Sequence, residues 1–313
     1  MGVVLMGKIN CYDNMILSAG SILLPPCDMN YYFLRAFSID FYKGGTLEPN
    51  DKLIKIDSDN SILKDYYGFS VTSEKVENKA WAEKKIEEIT LNKLKPIGII
   101  MDSFYIPWSN LQFQLHRMHC FLITDILNDK YICIDKFLSE DTVIIDKKTL
   151  IDNVKFLLYF NYDAKLIKYN DLDSLVLFMK DYINTEQKEH IEKLKGFAND
   201  ILSMKFDTMQ DINLYNIEES TLIFFIASIG WARENFLNAL KLVKSNFNTS
   251  SFDHIIPILD EIYFMWRKVK SLMIKNVFTN NYYQKASQLI QTIADKEDKV
   301  MDLIINIRSI SND

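Results

Sequence analysis

The stretch His119-Cys-Phe-Leu-Ile-Thr-Asp-Ile-Leu-Asn-Asp-Lys-Tyr-Ile-Cys-Ile-Asp135 decides how this chain reads. Its two ends are rich in β-branched and aromatic residues and flank Asn128-Asp129, a pair that tolerates turn geometry. The segment therefore predicts a β-hairpin with strands over 119–126 and 131–135. Positions 119 and 135 average to 127, within the turn, so this register sets His119 opposite Asp135 with both side chains on one face. A carboxylate beside a histidine selects its tautomer and stabilises the imidazolium that forms when the ring takes a proton.

Such a pair needs a nucleophile, and the N-terminal region offers one. From Cys11 to Leu24 the residues Ile16, Leu17, Ile22 and Leu23 repeat at helical spacing until Pro25-Pro26 stops the pattern, which predicts one helix with Cys11 at its start. Unpaired backbone N–H groups at a helix N-terminus favour an anion, so a cysteine there has its thiolate form favoured. The same amides can donate to an oxyanion on an attacked carbonyl. Taken alone, Cys11 reads more readily as a buried small residue; together with His119 and Asp135 it makes a nucleophile, a base and an orienter.

Outward from these segments, Phe37-Ser-Ile-Asp-Phe-Tyr42 and Leu53-Ile-Lys-Ile56 have strand character, separated by Gly44-Gly45 and Pro49. Residues 80–94 carry Trp81, Ile86, Ile89 and Leu94 among many Glu and Lys, an amphipathic helix that Pro96 ends. Ile97-Gly-Ile-Ile-Met101 suits a buried strand and leads into a loop with Asp102 and Tyr105, and a further strand is expected over 142–145. After about residue 170 the pattern changes to long amphipathic stretches at 171–204, 217–246, 253–276 and 282–309. In the last of these Ala286, Leu289, Ile290, Ile293, Val300, Ile304 and Ile307 form an apolar stripe, while Lys296, Glu297, Asp298 and Lys299 read as its charged opposite face.

The chain of 313 residues is long enough for two domains of roughly 100–200 residues each. The expected division is 1–169, an α+β domain, and 170–313, a helical bundle, with the boundary near Tyr169-Asn170. Hydrophobic residues at 48% and charged residues at 25% exclude wholesale disorder. A net charge of −6 argues against a broad phosphate-binding surface, so no nucleic acid is expected as partner. The apolar run Val3-Val4-Leu5-Met6 lacks a basic region before it and a cleavage site after it, and no run reaches the ~20 apolar residues of a membrane helix. Four cysteines without C-x-x-C spacing fit a reducing cytoplasm, with no membrane partner.

Asn10-Cys11 leading a helix, then Pro96-Ile-Gly-Ile-Ile-Met-Asp-Ser-Phe-Tyr-Ile-Pro107, then His119-Cys-Phe-Leu-Ile and Tyr131-Ile-Cys-Ile-Asp135, together resemble the family of the N-terminal domain of butirosin biosynthesis protein H over roughly the first 168 residues. The resemblance implies a papain-like, cysteine-protease-type fold with a helical second domain closing over a substrate channel. It also implies an acyltransferase that moves an acyl group from a carrier-protein thioester to an amine. Carried over, Cys11 would form the acyl-enzyme, His119 would move the proton and Asp135 would fix the ring. The implied partners are an acyl or peptidyl carrier protein with its phosphopantetheine and a small amine, a diamine among the options, in nonribosomal peptide-type biosynthesis. Asp125-Ile126 and Asp135-Lys136 stand where the family often has Gly-Tyr and Asp-Pro.

Papain-like enzymes add a polar oxyanion donor upstream of the nucleophile. Residues 2–9 contain no Gln or Asn, which leaves Asn10 as the nearby amide. Asp102 and Tyr105 are candidates for substrate contact, with Asp102 equally suited to capping local backbone amides. His116 and His119 have the i, i+3 spacing of helical metal ligands, with Cys120 next, but no second group of matching spacing exists and no metal is expected. Arg267, Lys268, Lys270 and Lys275 form a basic cluster, more simply a solvated helix face than a docking site for a carrier. Trp231, Arg233 and Glu234 could line a pocket, although core packing explains the tryptophan. Two other functions use the same residues: hydrolysis by a cysteine peptidase or thioesterase, and noncatalytic binding on a papain-like scaffold.

Overall fold

The structure is a computed structural model that describes residues 9–25, 27, 29–35, 61–91, 95–114, 116–168, 171–203, 217, 221–279 and 281–307. The strand-like runs over 37–42 and 53–56 lie outside these residues. The fold is mixed α+β, with a six-stranded antiparallel sheet and a helical C-terminal region. It divides into two compact units. One takes in residues 9–29 and the described part of 50–168; the other takes in 30–35 and the described part of 169–313.

The first unit opens with helix α1 (Cys11–Leu23), followed by α2 (Ser61–Tyr67), strand β1 (Phe69–Lys75), α3 (Lys79–Leu91) and β2 (Ile97–Asp102). Next come β3 (Met118–Leu127), β4 (Lys130–Ile134), β5 (Thr142–Asp146), α4 (Lys147–Asn153) and β6 (Val154–Tyr162). The strands lie in the order β1-β6-β2-β3-β4-β5. The all-apolar run of β2 is explained by its central place, buried on both faces between β6 and β3. On one face Ile99, Met101, Phe121, Ile123 and Cys133 pack with Ala82 and Ile86 of α3 and Leu150 of α4.

Gly98 marks the opposite face. A Cβ there would lie 2.9 Å from Leu158 Cβ and 2.9 Å from Met15 Sδ, so glycine leaves room for the Met15 side chain of α1 against the sheet.

The hairpin forms as its sequence predicts, with one correction to its register. Leu127 pairs with Lys130 across Asn128, whose φ of 53° is the left-handed conformation that Asn tolerates in tight turns. An irregularity between Ile123 and Asp125 then shifts the pairing to Ile123–Cys133 and Leu122–Ile134. Continued, this register sets Asp135 across from Phe121 and makes His119 its diagonal neighbour on the same face, not its direct opposite. The tight two-residue turn and the bulge, neither visible in strand composition, account for the difference.

The second unit contains α5 (Leu172–Ser203), α6 (Thr221–Phe247), α7 (Ile256–Thr279) and α8 (Tyr283–Ile305). Residues 30–35 belong with it, and Asn246 Nδ2 donates to Tyr31 Oη at 2.7 Å. Among the described residues no helix is long and apolar enough to cross a membrane.

Glu297 corrects the sequence reading: it is fully buried in α8, whereas Lys296, Asp298 and Lys299 are not. Its carboxylate accepts from Arg233 Nε and Nη2, each at 2.8 Å, from His190 at 2.6 Å and from Trp266 Nε1 at 3.3 Å. Burial opposes the charge, but the Arg233 guanidinium outweighs it and holds Glu297 down at about 2. The spacing contained the signal, because position 297 follows Ile293 by four and precedes Val300 by three, on the apolar stripe itself.

Glu297→Ala would leave the buried Arg233 cation uncompensated and is expected to destabilise the helical unit by about 3–5 kcal/mol in urea unfolding. Because the folded carboxyl is depressed from its ordinary 4.5 to about 2, this stabilisation is present above pH 4.5 and is lost as pH falls toward 2. An Arg233→Met, Glu297→Leu double variant should recover most of the loss.

Candidate active site

Asn10 caps α1, its Oδ1 accepting from Asp13 N at 2.8 Å while its Nδ2 donates to Asp13 Oδ2 at 2.8 Å. Both ends of the amide are thus engaged in starting the helix. Cys11 occupies the first helical position and is partly exposed, at the N-terminal end of the helix where the dipole favours an anion.

The structure brings Cys11, His119 and Asp135 together. His119 Nε2 lies 2.7 Å from Asp135 Oδ2, with the two side chains 7% and 1% exposed, and Cys11 stands close enough to His119 for the charges of the two groups to act on each other. Since Asp135 takes Nε2, Nδ1 is the ring atom left for the Cys11 sulfur. Trp108 Nε1 donates to the same Asp135 oxygen at 2.7 Å, and its ring packs edge-on against Phe121. Asp135 Oδ1 accepts from the backbone N–H groups of Phe137 and Leu138 at 3.2 and 3.3 Å. Both carboxylate oxygens are therefore engaged by donors.

The electrostatics separate the charges within the site. A hydrogen bond from the Cys120 thiol holds Cys11 well below the usual thiol range, against the cost of burial, with the His119 charge and hydrogen bond adding to the effect. Burial disfavours a charged His119, but the Cys11 anion and the Asp135 hydrogen bond outweigh it and push the ring up to about 10. Asp135 is lowered in spite of its burial, chiefly by the hydrogen bond and charge of His119 and the Trp108 N–H. These shifts favour the thiolate at Cys11, the imidazolium at His119 and the carboxylate at Asp135.

The other thiols differ. Cys120 is raised well above the usual range by its hydrogen bond to Cys11 and by burial, and Cys133 is raised by burial and by Asp135. His190 supplies a contrast, since burial beside Arg233 pushes it down although it too touches a carboxylate. Burial lowers both rings; at His119 Cys11 and Asp135 outweigh it, whereas at His190 burial, with Arg233 and Lys193 adding to it, prevails over Glu297.

The remaining candidates have local partners. Asp102 Oδ1 accepts from the N–H groups of Phe104 and Arg117 at 3.0 and 3.2 Å, while Oδ2 pairs with His116 Nδ1 at 2.6 Å. Tyr105 packs edge-on against Phe104 and onto the core beside β2. His116 stacks on Phe104 at 4.3 Å in the chain before β3, so its spacing from His119 is not that of a helix. Arg267, Lys268, Lys270 and Lys275 lie on α7, with Arg267 over the Tyr263 ring and Lys275 over the Tyr282 ring. Trp231 packs on Phe224, Arg233 is taken by Glu297, and Glu234, after burial, raises the Tyr263 phenol. Trp108 and Cys120 escaped the sequence reading. Trp108 belonged to a loop noted for its aromatics, but Cys120 was overshadowed by the histidine before it.

No family model matches the chain, and no curated protein matches it.

Proposed function

We propose that this protein is a cysteine-dependent acyltransferase, in which Cys11 takes an acyl group from a thioester and passes it to an amine, forming an amide. The observation that carries the reading is the buried His119–Asp135 pair at 2.7 Å, with Cys11 at the start of α1 held below the usual thiol range by its surroundings. A helix starting at a cysteine and packed on an antiparallel sheet also fits the papain-like arrangement that the sequence resembles.

In this mechanism the Cys11 sulfur attacks the thioester carbonyl, and the developing oxyanion accepts from backbone N–H groups of the first turn of α1. The tetrahedral adduct collapses by breaking the carbon–sulfur bond to the leaving thiol, which takes the Nδ1 proton of His119. The neutral ring then accepts a proton from the attacking amine, the new carbon–nitrogen bond forms, and the Cys11 thiolate leaves. Asp135 keeps the ring aligned through both transfers. The acyl donor is a thioester on the phosphopantetheine arm of an acyl or peptidyl carrier protein, a partner that follows from the family resemblance, and the acceptor is a small amine.

The test is product analysis of the protein with a simple acyl thioester, with and without a diamine. Amide formed in proportion to amine supports the reading. Free acid alone at saturating amine would show that water is the acceptor and that the site is hydrolytic. No acyl adduct with any thioester would favour a noncatalytic binding role.

A further inference from the structure

Trp108 lies on the connection between β2 and β3, away from the residues that form the triad, and the reaction as described makes no use of it. The two ends of this connection are tied together where the strands meet. Asp102 Oδ1 accepts from the N–H groups of Phe104 and Arg117 at 3.0 and 3.2 Å, and Ser103 N donates to Arg117 O at 2.7 Å. Phe113 N donates back to Phe104 O at 3.0 Å, and Ile106 and Leu111 are buried, which makes a compact loop packed by its own side chains. That loop sets Trp108 edge-on against Phe121, with ring centroids 5.2 Å apart. Asp135 comes across from Phe121 in the strand register, and Trp108 Nε1 donates to its Oδ2 at 2.7 Å. His119 Nε2 contacts the same oxygen at 2.7 Å, while Oδ1 is taken by the Phe137 and Leu138 N–H groups.

We infer that Trp108 is a positioning residue for the base: its indole N–H fixes the Asp135 oxygen that holds His119, so that the ring keeps one orientation through both proton transfers. The catalytic part of this inference rests on the acyltransferase reading; the hold on the ring does not. Its physical basis is the geometry of the carboxylate. The terminal torsion of an aspartate is soft, so a carboxylate held at one oxygen turns readily. The N–H groups of Phe137 and Leu138 hold Oδ1 at 3.2 and 3.3 Å, and without the indole Oδ2 would be held only by the ring that it has to align. An indole N–H is a donor only and an ionised carboxylate an acceptor only, so the contact has one direction and leaves the second donor place at Oδ2 to His119. Phenylalanine at position 108 keeps an aromatic ring against Phe121 but has nothing to donate.

The experiment follows the His119 Nε2–H proton of the full chain by NMR, as the low-field, slowly exchanging signal of a ring N–H given to a buried carboxylate. His190, whose Nε2 lies 2.6 Å from Glu297 in the other unit, supplies a second such proton as internal control. The parent is compared with Trp108→Phe and with a chain carrying benzothienylalanine at position 108, in which sulfur replaces the indole N–H and the shape is kept should phenylalanine prove unstable. Loss of one hydrogen bond to a charged group corresponds to exchange of the His119 proton faster by about tenfold or more, with His190 unchanged. In the reaction, Trp108→Phe is expected to lower kcat/KM about tenfold in the parent and less than about twofold in Asp135→Asn, because a group acting through Asp135 then has nothing left to position, whereas a packing role costs the same factor on both backgrounds. Unchanged His119 exchange in a folded variant, equal acceleration at His119 and His190, an equal cost on the two backgrounds, or absence of the His119 signal from the parent overturns the proposal. If His119 exchange depends on the indole donor but no acyl group reaches any amine, the hold on the ring stands and the acyltransferase reading fails. If acyl transfer is intact and the exchange does not move, the reverse holds.

Discussion

Incubated with an acyl thioester, the Cys11→Ala protein is expected to keep its own mass while the wild type gains one acyl group, and its amide synthesis should fall by about 10⁴–10⁶-fold. The size of the effect reflects the lack of a substitute. Cys120 is buried and keeps its proton; Cys133 is buried and also raised; Cys27, although exposed, shows no bond to His119. Alanine favours a helix, and the Asn10 cap does not use the sulfur, so α1 should persist and the loss can be read as chemical. Intact mass and far-UV circular dichroism on the same samples check both points. Equal labelling of the two proteins would remove Cys11 from the mechanism.

Asp135→Asn is expected to cost about 10²–10⁴-fold in kcat/KM, although the change is nearly isosteric. Every hydrogen bond to this carboxylate from a side chain or the following backbone comes from a donor: Trp108 and His119 at one oxygen, the N–H groups of Phe137 and Leu138 at the other. An asparagine amide offers one oxygen, so whichever way it turns its NH₂ meets two N–H groups and leaves buried donors unsatisfied. The ring also loses a negative neighbour. His119 is held up at about 10 partly by Asp135, so its deprotonation, and with it the alkaline limit of acyl transfer, should move to lower pH in the variant. The acid limit follows Cys11, which shares no hydrogen bond with Asp135, and should move less. A pH–rate profile measures both limbs. A variant that keeps wild-type kcat/KM and the same alkaline limb would rule out Asp135 as the orienter of the ring.

The two units use one physical device for different ends. Asp135 and Glu297 are both buried carboxylates surrounded by donors that include a histidine and a tryptophan. Beside Glu297 the charge is neutralised by Arg233, and the arrangement is closed on itself. Beside Asp135 no guanidinium intervenes, and the positive charge falls on His119, which faces the thiolate.

Several features of this protein were set by local sequence. The start of α1 at Cys11 follows from the Asn10 cap, its end from Pro25, the hairpin from Asn128-Asp129, and the four long helices from their amphipathic repeats, because each depends on neighbours within one or two turns. Strands β1 and β6 were not legible. β6 lies beside β2 with β1 outside it, a placement that depends on pairing with residues as far as 93 positions away, from Phe69 to Tyr162, and β6 mixes apolar residues with Lys155, Tyr159 and Asn161 without a clean alternation. The nearness of His119 and Asp135 was legible from the hairpin. Their diagonal register was not, since it depends on a turn and a bulge. The Trp108 N–H on Asp135 and the burial of Glu297 were decided only by tertiary structure, because each joins segments whose approach is set by packing and not by any local pattern.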